Sequence, residues 1–182
     1  DQNISFQGAS CPLPLIHNEQ IMMGHGSGGK MSHDLIRDIF LSAFSEPSPS
    51  LGDDGIVLPI SFSQNNTRQI VVSTDSHVVS PLFFPGGDIG RLAICGTVND
   101  VAMMGANPQY LTAGFILEEG LEINILREVV KSMLAAAEEA GIKVVAGDTK
   151  VVQKGKADGI YITTTGIGVL PSGTNINGTR AM

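Results

Sequence analysis

The chain has 182 residues, of which 42% are hydrophobic and 22 are glycine, and its formal net charge is −7. This composition is typical of a single compact domain rich in turns, and two full domains would be a tight fit. The acidic balance, without adjacent basic residues, argues against a nucleic-acid partner. No apolar run is long enough to span a bilayer, so we expect a cytoplasmic protein with no membrane partner.

The two ends of the chain differ from its centre. Residues 1–20 carry prolines and no periodic pattern, which predicts a flexible leader. Residues 172–182 are polar and rich in turn formers, which predicts a linker toward an absent C-terminal domain. The domain itself is expected over residues 21–171. Its first helix is predicted from apolar residues at helical spacing between Leu35 and Phe44, with Ser32 placed as the N-cap.

The remaining elements alternate between short β-branched runs and longer helical patterns. Two strands joined as a hairpin, two further helices and three later strands are predicted, at residues 55–60, 69–75, 88–104, 110–117, 126–140, 142–147 and 159–170. Gly141 is expected to end the last helix. Because strands and helices intermix without strict alternation, and hairpins imply antiparallel pairs, the predicted fold class is α+β.

A glycine-rich segment, GHGSGGKMS, lies at the start of the predicted domain. Gly24, Gly26 and Gly29 match a dinucleotide fingerprint in spacing, and Gly24 to Lys30 is one residue short of a P-loop. A P-loop requires Ser or Thr after the lysine to hold Mg²⁺, and that position is Met31. The chemistry common to both motifs remains, because glycines let backbone N–H groups approach an anion. A simple glycine turn is the alternative.

Acidic residues recur at the predicted element boundaries, beside Gly, Ser and Thr. Hard oxygen ligands of this kind can converge on Mg²⁺ while small neighbours leave room for phosphates. The positions are Asp53, Asp54, Asp75, Asp88, Asn99, Asp100 and Asp148. Any one aspartate is more often a turn or cap residue, but so many together favour a metal-nucleotide site. Asn99 and Asp100 fall inside a helical pattern, where a ligand role and a buried hydrogen bond are both open.

Several long motifs resemble the N-terminal domain of the HypE hydrogenase maturation proteins. In chain order they are GHGSGGK, STDSHVVSPLFFPGGDIG, CGTVNDVAMMGANPQYLTAGFILEEGL and VAGDTKVV. HypE is grouped with aminoimidazole ribonucleotide synthetase in the PurM-like superfamily. The resemblance implies a mixed sheet with helices on one face. It also implies that two such domains pair into a barrel-like homodimer, with ATP and Mg²⁺ in clefts at the interface.

The same resemblance implies a reaction and partners. In HypE, a carbamoylated cysteine at the C terminus is dehydrated with ATP to a thiocyanate, the source of cyanide ligands for nickel-iron hydrogenases. A HypF-type carbamoyltransferase supplies the carbamoyl group, and a HypC-HypD scaffold complex receives the cyanide. That acceptor cysteine is not in this sequence, and Cys11 lies at the wrong end to replace it. We therefore expect an excised domain that binds ATP but is incomplete as an ATP-dependent dehydratase.

The resemblance also implies roles for individual residues. Expected metal ligands are Asp53, Asp54, Asp75, Asp100 and Asp148. Expected nucleotide contacts are Gly26, Gly28, Gly29, Lys30, Asp75, Asn99, Asp100, Asp148 and Thr149. Lys150 and His25 are the expected catalytic residues: Lys150 can neutralise the transferred phosphoryl group, and His25, with Lys30, can close over it from the glycine-rich loop.

Two alternatives come from other functional classes. One is a selenophosphate-synthetase-like ATP-dependent enzyme, but that family carries a reactive Cys or selenocysteine where Gly29 stands here. The other is a non-catalytic dimerisation and docking module for maturation partners, which would dimerise without binding nucleotide.

Overall fold

The structure is a computed structural model that describes residues 21, 23–41, 43, 55–63, 66–174 and 176. The predicted leader, residues 1–20, lies outside the described residues, as does most of the predicted linker. The chain divides into two compact units, Asp1–Pro49 and Ser50–Met182. Each unit is described separately below.

The second unit contains one large sheet and two long helices. Its strands are β1 (Ile56–Ser63), β2 (Asn66–His77), β5 (Asn107–Glu118), β6 (Lys143–Val152) and β7 (Ile160–Leu170), with the two-residue strands β3 (Phe83–Phe84) and β4 (Gly87–Asp88) forming a separate pair. The helices are α2 (Ile89–Met103) and α3 (Ile123–Ala140). The five long strands are ordered β1-β2-β7-β5-β6.

The sheet is mixed, which confirms the predicted α+β class. β1 and β2 form the expected antiparallel hairpin, and β7 is antiparallel to both β2 and β5. β5 and β6 are parallel, with α3 as the crossover between them. The strands are longer than the apolar runs predicted, because polar residues continue the hydrogen-bonded ladders. Asp75 and Asp148, which we expected to follow strands, therefore lie inside β2 and β6.

Both long helices lie over one face of the sheet, as expected for this fold class. Ile89, Ala93 and Ile94 of α2 pack with Leu111 and Ile162 of the sheet, and all five are fully buried. α3 adds Val129 and Met133 to the same core and ends at Gly141, whose φ of 68° is the left-handed conformation that glycine tolerates best. The C-terminus of α3 predicted from sequence is confirmed.

Asp88 begins α2 as its N-cap. The Oδ1 atom accepts hydrogen bonds from the N–H groups of Gly90 at 2.7 Å and Arg91 at 3.1 Å. The Oδ2 atom accepts a hydrogen bond from the hydroxyl of Ser132 on α3. Asp88 is thus a buried cap that also joins the two helices, which is the structural alternative we allowed for any single aspartate.

The first unit is described from Ile21 to Ala43 with short gaps. A 3-10 turn at Met23–Gly26 precedes α1 (Lys30–Leu35), and a π-helical turn at Ile36–Leu41 follows. The predicted helix is present, but the prediction that Ser32 caps it is wrong. Gly29 is the N-cap, and Ser32 is a buried residue within α1 whose Oγ accepts a hydrogen bond from Gly28 N–H at 2.9 Å.

The opposite face of the sheet carries apolar and hydroxyl side chains that the described helices leave uncovered. Tyr110 and Ile116 on β5 and Leu58 on β1 are each between 39% and 43% exposed. Thr163 and Thr165 continue this face on β7, where buried and less buried residues alternate. No helix in the part of the chain that the structure describes is both long and apolar enough to cross a membrane.

Candidate active site

The first group of candidate residues lies where β2 passes α2; we call it the α2–β2 seam. It consists of Ser73, Asp75 and His77 on β2 with Gly96 and Asp100 on α2. The three β2 residues alternate along the strand, so they share the helix-facing side of the sheet. The sequence suggested Asp75 and Asp100 but not the other members. The alternation Ser-x-Asp-x-His on one strand was the signal available.

Asp100 is held in the seam by its neighbour on β2. The Ser73 hydroxyl donates a hydrogen bond to Asp100 Oδ2 at 3.3 Å. Asp75 lies two strand residues beyond Ser73, a spacing of roughly 7 Å along β2. The carboxylates of Asp75 and Asp100 are therefore near neighbours along one line, and the Asp75 side chain is 44% exposed to solvent.

Asn99 lies beside Asp100 on α2 and is exposed. It directly precedes Asp100 of the seam along the helix. The structure thus places two of the residues predicted for the nucleotide site, Asp75 and Asp100, in the seam, and Asn99 is exposed next to Asp100. The exposure of Asp75, which lies beside Gly96, leaves this part of the seam accessible to a ligand.

The seam fits Mg²⁺ bound to phosphates better than a metal held by protein alone. Among the described residues, no group of three or more His, Cys, Asp or Glu side chains converges as a metal cluster. Mg²⁺ usually keeps several waters and binds through one or two carboxylates plus substrate phosphates. Two neighbouring carboxylates meet that requirement.

The second group of candidates, Asp148, Thr149 and Lys150, lies on β6 at the edge of the sheet; we call it the β6 edge. Lys150 Nζ lies 2.8 Å from Asp148 Oδ2, and both side chains are about 70% exposed. This hydrogen bond lowers the pKa of Asp148, and the Thr149 N–H and the charge of Lys150 lower it further. In this chain Lys150 is therefore paired with a carboxylate.

The register of the sheet separates the two groups. Ser76 on β2 lies in one row with Thr163, Gly114 and Asp148, whereas Asp75 lies in the adjacent row with Thr164. Because neighbours in a row share a face, Asp75 points to the helix side and Asp148 to the uncovered side. Two strands lie between β2 and β6, so the two positions are about 14 Å apart.

The glycine-rich segment belongs to the first unit and forms a compact turn. Ser27 donates through its hydroxyl to Gly24 O at 2.8 Å, and Gly28 N–H is used by Ser32 Oγ. Gly26 and Lys30 are exposed, as is Gly29 at the start of α1. His25 is half-buried in the 3-10 turn. The predicted metal ligands Asp53 and Asp54 lie outside the described residues.

Comparison with known proteins places the chain in a family. Residues 52–170 match the family of AIR synthase related proteins, N-terminal domain. The chain belongs to this family. The carbamoyl dehydratase HypE of Cupriavidus necator is 51% identical over 166 residues, which cover 91% of this chain and 46% of that relative. The chain therefore spans about half the length of the curated relatives it matches.

Two solved structures of HypE resemble this AIR synthase-related chain closely. A HypE–HypF complex matches with a TM-score of 0.69 at 51% identity, covering 79% of this chain and 44% of that chain. A HypE structure in complex with ATP matches with a TM-score of 0.56 at 51% identity, covering 84% and 44% respectively. The resemblance to HypE and the PurM-like fold expected from the sequence motifs are confirmed.

Proposed function

We propose that this chain is the ATP-binding and dimer-forming part of a HypE-type carbamoyl dehydratase. The observation that carries the proposal is the α2–β2 seam, where Asp75 and Asp100 lie on the same side of the sheet, Asp75 beside Gly96 and Asp100 beside Ser73. A relative of 51% identity has been solved with ATP, which supports a nucleotide as the ligand.

The proposed reaction uses ATP to remove water from a thiocarboxamide. The carboxamide oxygen of a carbamoylated C-terminal cysteine attacks the γ-phosphorus, and ADP leaves. Loss of the nitrogen protons and departure of phosphate then break the C–O bond and give the thiocyanate. Phosphoryl transfer of this kind is accelerated mainly by positioning and by neutralising charge on the phosphate oxygens.

Within this proposal each group of residues has a task. Mg²⁺ would neutralise phosphate charge, and Asp75 and Asp100 would hold it, with Asn99 as a further polar contact. Gly26, Gly28, Gly29 and Lys30 would contact the nucleotide from the glycine-rich turn, and His25 would stand beside the transferred phosphoryl group. Asp53 and Asp54 are proposed as additional metal ligands.

The β6 edge joins the site only if a second copy of the chain is present. Asp75 and Asp148 face opposite sides of one sheet, so they cannot contact the same nucleotide within one chain. A homodimer that closes a barrel over the uncovered face would bury Tyr110 and Ile116. At the rim of that barrel, the β6 edge of one protomer, with Asp148, Thr149 and Lys150, would lie beside the seam of its partner. Lys150 would then exchange Asp148 for the transferred phosphoryl group.

The proposed partners follow from the relatives. A HypF-type carbamoyltransferase would deliver the carbamoyl group, which the solved HypE–HypF complex supports. A HypC-HypD scaffold complex would accept the cyanide, and these exchanges would occur in the cytoplasm.

Calorimetric titration with ATP, with and without Mg²⁺, tests the nucleotide site. We expect ATP to bind weakly without Mg²⁺ and much more tightly with it, because the carboxylates repel the triphosphate when no cation lies between them. Asp158→Asn is the matched control for substitutions of Asp75 and Asp148. It also removes one negative charge, but it lies in the β6–β7 loop, outside both the seam and the β6 edge. A chain that dimerises but binds no nucleotide would instead be a docking module.

Complementation tests the shared site. Asp75→Asn and Asp148→Asn are each expected to impair binding, and an equal mixture refolded together should recover about one intact site in four, because each heterodimer carries one site with both aspartates. If every site is built within one chain, the mixture recovers none.

A further inference from the structure

His77 lies buried beside the Asp75 carboxylate, and the proposed function has not yet used it. Its side chain is 5% exposed, whereas that of Asp75 is 44% exposed. His77 Nε2 lies 3.6 Å from Asp75 Oδ2 and 3.3 Å from Thr164 Oγ1. A buried ring nitrogen needs a partner, because it has lost its hydrogen bonds to water.

The hydroxyl of Thr164 determines which nitrogen of His77 carries a proton. Thr164 Oγ1 donates to Ala93 O at 3.2 Å, and a hydroxyl has only one proton to donate. With that proton directed at Ala93 O, Thr164 Oγ1 accepts at its other contacts, from the Thr97 hydroxyl at 2.6 Å and from His77 Nε2 at 3.3 Å. In this arrangement His77 Nε2 carries a proton, and that single N–H faces Thr164 Oγ1 and the Asp75 carboxylate together.

Both oxygens of the Asp75 carboxylate have a neighbouring N–H or ring nitrogen. Oδ1 accepts a hydrogen bond from Ser76 N–H at 2.7 Å, and Oδ2 lies opposite His77 Nε2. Each carboxylate oxygen offers more than one lone pair, so both remain able to bind a cation. The carboxylate is therefore fixed in orientation without being blocked.

Helix α2 closes the space around this pair. A Cβ atom built on Gly96 would lie 3.1 Å from His77 Cε1 and 3.5 Å from Asp75 Oδ2. Glycine at this position lets the helix backbone approach the imidazole ring closely. The ring is thus confined between α2 and Thr164 of β7, and it has little freedom to turn away from Asp75.

We propose that His77 is a positioning residue, which keeps the Asp75 carboxylate in the orientation that receives Mg-ATP through the Nε2–H that it shares with Thr164 Oγ1. The proposal rests on the proposed function, because it assumes that Asp75 contacts the bound metal or phosphates. A side chain that orients a ligating carboxylate is important because a metal binds more weakly to a carboxylate that is free to rotate. Removing such a side chain typically costs about 10–100-fold in metal affinity or activity.

Two substitutions of His77 separate positioning from packing. His77→Leu fills similar space without a donor, and His77→Gln restores an N–H donor near the position of Nε2. We would measure the dissociation constant of Mg-ATP by calorimetry and the unfolding midpoint without ligand. His77→Leu is expected to weaken Mg-ATP binding by about 10–100-fold, with His77→Gln close to wild type.

Thr97→Val is the matched control for the buried network. It removes a hydroxyl that contacts Thr164 rather than Asp75. It should therefore lower the unfolding midpoint while changing the Mg-ATP dissociation constant much less than His77→Leu does. If His77→Gln binds as weakly as His77→Leu, or if His77→Leu binds as wild type does, the positioning role is overturned.

Asp75→Asn distinguishes this failure from failure of the proposed function. If the wild-type chain binds Mg-ATP and Asp75→Asn weakens it while His77→Leu does not, only the positioning role falls. If Mg-ATP does not bind the wild type, or if Asp75→Asn leaves binding unchanged, both fall. Should His77→Leu not fold, the ¹⁵N signals of His77 in the wild type decide. A protonated Nε2 that shifts on adding Mg-ATP supports the role, and an unprotonated Nε2 overturns it.

Discussion

The α2–β2 seam and the β6 edge both present aspartates, but they are built differently. In the seam, Asp75 and Asp100 are each contacted by a neighbouring side chain of β2, and buried core residues lie beneath them. At the β6 edge, Asp148 contacts Lys150 on its own strand, and every residue of β6 except Val152 is exposed. The seam is therefore organised by contacts between two elements before a ligand arrives, whereas the edge is organised only by contacts within its own strand, and the proposed dimer would cover it.

The largest expected difference between the two regions is in ligand binding. Asp100→Asn should weaken Mg-ATP binding by at least about 100-fold, because loss of a direct ligand exceeds the roughly 10–100-fold cost of losing a supporting partner. Its unfolding midpoint without ligand should stay the same or rise, since one charge near Asp75 is removed. Calorimetry and thermal denaturation check both values. A variant that loses stability but keeps its affinity for Mg-ATP would make Asp100 a structural residue.

The next difference is in folding stability, for which the chain offers a matched pair of strand valines. Val71 on β2 is fully buried, and Val145 on β6 is 55% exposed. Val71→Ala should lower the free energy of unfolding by about 2–3 kcal/mol, through lost burial and a residual cavity. Val145→Ala should change it by about 0.5 kcal/mol or less.

Denaturant titration measures both valine variants. Because β propensity measured in a protein mainly reflects side-chain packing and burial, the difference between the two variants reports the difference in burial. Equal losses would show that the β6 edge is covered in solution, as a stable dimer in which β6 is buried would require.

A smaller effect is expected for the ion pair of the β6 edge. Lys150→Met should leave the unfolding midpoint near the wild-type value at both low and high salt, because exposed ion pairs contribute little to stability. It should raise the pKa of Asp148 toward its ordinary value, since Lys150 is the main cause of the lowering. NMR titration of the Asp148 carboxyl measures this pKa. An unchanged value would mean that Lys150 does not contact Asp148 in solution.

The smallest expected effect concerns Glu118, the last residue of β5, which pairs with Val152 at the end of β6 and anchors the β6–β7 loop. Its carboxylate accepts hydrogen bonds from Gly155 N–H and from Gly159 N–H, and these lower its pKa from 4.5. A carboxyl group whose pKa is lowered by folding stabilises the folded state at pH values above its unfolded-state pKa. That stability is lost as the pH falls through the folded-state pKa.

Glu118→Gln should accordingly reduce the loss of stability seen between neutral pH and pH values below about 4.5, while costing a little stability at pH 7. Thermal unfolding across this range tests it, with Glu119→Gln as the neighbouring control. Identical acid profiles for wild type and Glu118→Gln would contradict the loop-anchoring role.

Local patterns in the sequence determined much of the fold. The helical spacing of α2 and α3, the cap-forming Asp88 and the terminating Gly141 are short-range signals, and each element formed where it was predicted. The β1–β2 hairpin is equally local. Strand lengths were underestimated because Ser76, His77 and most of the GDTKVV segment are polar, and only pairing with β7 and β5 keeps them extended.

The tertiary structure decided how the acidic residues are grouped. The sequence identified Asp75, Asp100 and Asp148 as similar candidates, since each is a carboxylate beside small residues. Their separation into a seam and an edge on opposite faces depends on strand order and on register, which pair residues as distant in sequence as Gln69 and Leu170. The same long-range packing buried His77 against Thr164, a contact that no local pattern encodes. The sequence thus determined which chemical groups are available, and the register of the sheet decided which of them can act together.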